Sequence, residues 1–108
     1  MVMNRRVFLA LLTACSLGFA GCNPNKVLIS NTGPNPVTIT SNPSPDSPEL
    51  PYEIPVGQSQ EFNYFDKTIT INAVDMTTFN SGVLTNLDVN TSDNLEWDGT
   101  NLKDVTPP

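Results

Sequence analysis

The chain has 108 residues, with eleven Asp and Glu against five Lys and Arg, no His and two Cys. An acidic surface repels phosphate backbones, so nucleic-acid binding is excluded. Without His the commonest general base and transition-metal ligand are missing; no cofactor and no enzymatic activity are expected.

Residues 1–6 carry Arg5 and Arg6 and no acid, and the fifteen residues Val7 to Gly21 that follow are uncharged. A bilayer span needs about 20 apolar residues. This run is shorter, and it ends in small residues. A positive head, a short apolar middle and a small-residue end are the pattern of a helical secretory signal. Both cysteines, Cys15 and Cys22, lie in this segment or at its end. The domain beyond Cys22 therefore has no internal disulfide, and zinc and thiol chemistry are excluded there.

Phe19-Ala20-Gly21-Cys22 resembles the lipobox of bacterial prolipoproteins, although Phe19 stands where Leu is usual. The resemblance implies that the Cys22 thiol takes a diacylglycerol and that a peptidase cuts just before it, after which the new amino group is acylated. Leu12-Thr13-Ala14-Cys15 also fits a lipobox. Cutting there would leave only eight apolar residues, near the bottom of the roughly 7–15 range for such cores, so Cys22 is preferred. Asn4-Arg5-Arg6-Val7-Phe8-Leu9-Ala10 resembles the twin-arginine export motif, and the arginine pair serves equally as the head of a general secretory signal. Asn23 is not the Asp that holds Gram-negative lipoproteins at the inner membrane. The expectation is a cell-envelope protein, lipid-anchored and facing the periplasm from the outer membrane where there is one. The division expected is 1–21 signal peptide, 22–26 lipidated tether and 27–106 a single domain.

The domain keeps three lysines against all eleven acids, a net charge of −8. It is rich in Thr, Asn, Pro and Ser, which favour strands and turns over helix. Val27 to Ser30 reads as a strand, Asn31 to Pro36 as a turn, and Val37 to Thr40 as a second strand pairing with the first. Asn42 to Pro51 holds four prolines and reads as a stiff loop. Tyr52-Glu53-Ile54 is extended. Pro55 to Gln58 is a turn with Gly57 free to take a positive φ. Ser59 to Phe65 alternates, with Phe62 and Tyr64 on one face, and Asp66-Lys67 suits a two-residue connection. Thr68 to Ala73 places Ile69, Ile71 and Ala73 inward. Asp75 to Phe79 fits a short strand or a helical turn, broken by Ser81-Gly82. Val83, Thr85, Leu87 and Val89 share one face of the next strand, and Asn90 to Asn94 is a polar turn.

Asp98-Gly99 is a favoured two-residue turn. It sets Trp97 opposite Thr100, Glu96 opposite Asn101 and Leu95 opposite Leu102, leaving Thr106 to Pro108 as a frayed tail. Trp97-Asp98-Gly99-Thr100-Asn101 is similar to the turn of immunoglobulin-like bacterial domains such as the flagellar hook-capping protein, which implies a β-sandwich hairpin. Short strands at 8–12-residue spacings and no crossover helix predict an all-β fold without a parallel sheet: a small antiparallel β-sandwich, immunoglobulin-like, with a small β-barrel as the alternative.

Few residues in the domain promise chemistry. Asp88 to Ser92 spaces oxygen ligands like a calcium loop but lacks its glycine and its closing glutamate. A looser calcium site could use Asp88, Asp93 or Asp98. Trp97, beside Tyr52 or Tyr64, could stack a sugar, but sharing a face with Leu95 and Leu102 makes it core. Glu96 and Asp98 read as a solvated face, not an acid–base pair. Asn90-Thr91-Ser92 is a glycosylation sequon with no expected use in a bacterium. The sequence therefore predicts a non-catalytic interaction or accessory module that meets another envelope protein, with calcium or carbohydrate binding as the alternative.

Overall fold

The computed structural model describes residues 24–108. The export segment, with Arg5, Arg6, Cys15 and Cys22, lies outside the described residues. Eight strands follow in order: β1 Asn25–Asn31, β2 Val37–Asn42, β3 Tyr52–Ile54, β4 Ser59–Tyr64, β5 Thr68–Val74, β6 Ser81–Asp88, β7 Asn94–Trp97 and β8 Leu102–Asp104. They form two four-stranded sheets, ordered β4-β1-β7-β8 and β3-β2-β5-β6. The sheets pack as a β-sandwich, and the sheet does not close into the alternative barrel. No helix among the described residues is long and apolar enough to cross a membrane.

Alternation builds the core. Val27 and Ile29 of β1, Val37 and Ile39 of β2, Phe62 and Tyr64 of β4, and Ile69, Ile71 and Ala73 of β5 all point inward and are buried. Each pleated strand presents every second side chain to one face, so these pairs bury together or not at all. Gly57 turns at φ 77, as its position requires.

Several expectations are corrected. First, β2 does not pair with β1. It pairs with β3 and β5 in the opposite sheet, because residues 32–36 carry the chain across the sandwich. Likewise β4 pairs with β1 and β5 with β2, so Asp66-Lys67 is a crossing between sheets and not a hairpin turn. Second, β1 runs parallel to β7. The two strands lie far apart in the chain, so the intervening strands make the connection that a crossover helix otherwise would. β1 also starts before Val27: Asn25 and Lys26, placed in the tether, pair with Tyr64 and Asn63.

Third, Ser81-Gly82 lies within β6, and a bulge divides that strand. Ile71 pairs with Leu84 and Ile69 with Leu87, which leaves one extra residue in β6. Asn86 absorbs it at φ 53. A one-residue insertion exchanges the faces, so Leu87 and Val89 are buried while Val83 and Thr85 face solvent.

Fourth, the last hairpin has a four-residue loop, 98–101, and pairs Trp97 with Leu102, Glu96 with Lys103 and Leu95 with Asp104. Asp98 Oδ1 accepts the N–H of Thr100 at 2.9 Å and of Asn101 at 2.8 Å, which fixes the wider loop. The slide is two residues, so it preserves facing, and Leu95, Trp97 and Leu102 are all buried as expected. The tail is also tied down as far as Thr106, whose Oγ1 accepts the N–H of Asp93 at 3.0 Å and of Asn94 at 2.9 Å.

Candidate functional site: the loops opposite the N-terminal end

The strands alternate in direction, so successive connections alternate between the two ends of the sandwich. Residues 32–36, 55–58, 75–80 and 98–101 gather at the end that β1 reaches at Asn31. Hydrogen bonds join them: Gly57 N–H to the Asn31 carbonyl at 3.0 Å, Thr32 N–H to that of Trp97 at 2.8 Å, and Asn80 Nδ2 to that of Gly99 at 3.0 Å. Asn25 lies at the opposite end. The loop cluster is therefore the end farthest from the start of the described chain.

Two buried polar residues organise this end. Asn31 is 1% exposed. Its Nδ2 donates to the carbonyls of Asn35 and Ile54, each at 2.9 Å, and its Oδ1 accepts the Gly33 N–H at 2.9 Å. It thus satisfies backbone groups from two connections at once, as a buried carboxamide must. Asp75 is fully buried. Its Oδ2 accepts Asn35 Nδ2 at 3.0 Å, and its Oδ1 accepts the N–H groups of Thr77 and Thr78 at 2.8 and 3.2 Å. Burial pushes the Asp75 carboxyl up, but the hydrogen bonds from Asn35, Thr77 and Thr78 outweigh it and hold the group below the usual carboxylate range.

The same carboxylate starts one helical turn, closed by Phe79 N–H to the Asp75 carbonyl at 2.7 Å. This settles the ambiguity of residues 75–79 in favour of a turn. The turn presents Met76, 62% exposed, and Phe79, 76% exposed. Phe79 sits at φ 65, in the left-handed region that bulky residues avoid. The chain holds an aromatic ring in solvent on a strained backbone, braced by a buried carboxylate. Sequence reading missed Asn31, Asp75, Met76 and Phe79. The available signal was an Asp opening a Thr-rich turn that carries two large apolar residues.

The residues singled out for chemistry are occupied elsewhere. Trp97 is fully buried and offers no face to a sugar. Tyr52 meets Phe62 edge-on, with centroids 5.7 Å apart, and Tyr64 donates to Ser41 Oγ at 2.8 Å. Glu96 accepts from Thr32 Oγ1 at 2.7 Å. Asp98 is the turn acceptor and also meets Lys103 Nζ at 3.3 Å. The N–H donors of Thr100 and Asn101 and the Thr100 hydroxyl hold the Asp98 carboxyl far below its usual range. Asp88 Oδ1 accepts the Asn90 N–H at 2.9 Å. Among the described residues no group of three or more Asp and Glu converges as a metal site. Compared with protein-family models, curated proteins and solved structures, the chain matches none with significance.

Proposed function

We propose that this protein is an exported bacterial lipoprotein, anchored through Cys22, whose β-sandwich is a non-catalytic interaction module of the cell envelope. The support at the N terminus is the order of a positive head with Arg5 and Arg6, a short apolar run and a lipobox-like end. The observation that carries the reading is the placement of β1. It begins at Asn25, three residues beyond Cys22, a reach of about 10 Å. From there it runs to the opposite end, where the braced loops present Met76 and Phe79. An anchor at Cys22 would hold the near end against the membrane and turn those loops outward, toward a partner protein. If there are two membranes, the outer one is proposed, with the domain in the periplasm.

Metabolic labelling with a fatty acid tests the anchor. The natural chain takes up label and fractionates with membranes; Cys22→Ser does neither, and Cys15→Ser does both. Label retained by Cys22→Ser would overturn the assignment.

A further inference from the structure

A sandwich with two open sheets has four edge strands, and unpaired edges invite further strands. Three of the four are blunted here. β3 and β8 are three residues long and carry Glu53 and Lys103. β4 carries Glu61 and is overlaid by the 42–51 loop: Asn63 donates its N–H to the Ser47 carbonyl at 2.8 Å, and its own carbonyl accepts the Asp46 N–H at 2.6 Å. β6 is different. It is the longest strand, and the chain is uncharged from Met76 to Leu87. Among the described residues no backbone group outside β5 pairs with residues 81–87. Its exposed Val83, together with Met76 and Phe79 on the loop before it, accounts for three of the six large apolar residues exposed in the described chain.

We propose that residues 81–85 of β6 are a strand-docking site for an extended segment of a second envelope protein, in the manner of β-augmentation. The bulge at Asn86 ends the pairing, so about five residues, roughly 17 Å, are available. The incoming segment pairs its backbone with β6 and sets an apolar side chain beside Val83. Lysine or arginine flanks would suit the domain's net charge of −8. A second copy of this chain is the poorer occupant, a point that rests on the Cys22 anchor. Closed self-pairing of two edges is antiparallel and twofold. It would turn the second copy's Asn25 away from the membrane that holds the first.

The test uses the full-length protein in its own cells, with a photo-crosslinking residue placed singly at Ser81, Thr85, Glu53 or Lys103. Positions 81 and 85 are expected to join one partner protein at a single extended segment. Their attachment points should lie in strand order along it, in one direction or the other, and positions 53 and 103 should give none. Val83→Lys, on an exposed site, should weaken the adducts from 81 and 85 by about tenfold or more without lowering the melting temperature. Four results overturn the proposal: no adduct from 81 or 85, adducts from all four positions alike, adducts insensitive to Val83→Lys, or adducts only between copies of this chain. The fatty-acid label judges the anchor independently. A chain that takes no label but keeps the ordered adducts would retain the docking site and lose the argument against self-pairing.

Discussion

The two ends of the sandwich are held together in different ways. The end at Asn31 is knitted by buried side chains: Asn31 bonds the backbone of Gly33, Asn35 and Ile54, Asp75 that of Thr77 and Thr78, and a Cβ on Gly33 would meet Gly99 Cα at 2.8 Å. The end at Asn25 has one such side chain, the buried Tyr64, whose hydroxyl donates to Ser41 Oγ; its other contacts are shallower, such as Thr106 to Asp93 and Asn94 and the surface cap of Asp88 on Asn90. Loops that only link strands need the second kind of support. Buried polar bracing is costly unless every group is satisfied, and here it fixes the loops that carry Met76 and Phe79. The contrast marks the Asn31 end as the one built to hold a shape.

The sharpest way to break this contrast is Asn31→Leu. The buried Gly33 N–H and the carbonyls of Asn35 and Ile54 would lose their partner, a destabilisation of roughly 3 kcal/mol. Urea unfolding should show it as a lower midpoint at unchanged slope; a loss under about 1 kcal/mol would mean that the network is decorative. Gly99→Ala comes next. Gly99 has φ 102, and its new Cβ would lie 2.8 Å from Pro34 Cδ. Strain and overpacking together should cost about 2 kcal/mol in the same assay.

Acid tests the contrast without mutation. Asp75 and Asp98 both have carboxyls lowered from their ordinary values. A group with a depressed folded pKa adds stability above its unfolded pKa and loses it as pH falls through the folded value. Stability should therefore be level near neutrality and decline below about pH 4, and Asp75→Asn should flatten part of that decline in melting curves.

Phe79→Gly should go the other way, gaining roughly 0.5–1 kcal/mol by relieving the left-handed φ, after the entropy that glycine adds to the unfolded chain. A higher melting temperature is the expected readout, and a lower one would show that the ring packs usefully. The smallest effect belongs to the Asn25 end, where Thr106→Val should cost about 0.5 kcal/mol. If it cost as much as Asn31→Leu, the two ends would be braced alike.

Individual strands were legible in the sequence, and their partners were not. Ile69, Ile71 and Ala73 declare an inward face because period two is local. Whether Val37 to Thr40 lies beside β1 or across from it depends on all the other strands, so the turn-rich 31–36 segment misled. The β6 faces failed at Asn86 because nothing marks a bulge until its partner is known. The last hairpin kept its faces and lost its register, since Asp98 captured two N–H groups that a tighter turn would not offer. The candidate site was the least legible. Asn31 and Asp75 look like ordinary turn residues, and only the meeting of four loops buries them.

The position of β1 has a mechanical consequence. It is an inner strand of its sheet, antiparallel to β4 on one side and parallel to β7 on the other. A load entering at Asn25 and leaving through the loops at the far end would run along the strand. It would shear both ladders at once and could not peel them open bond by bond. The sandwich thus resists load applied along the line joining its two ends through two ladders at once.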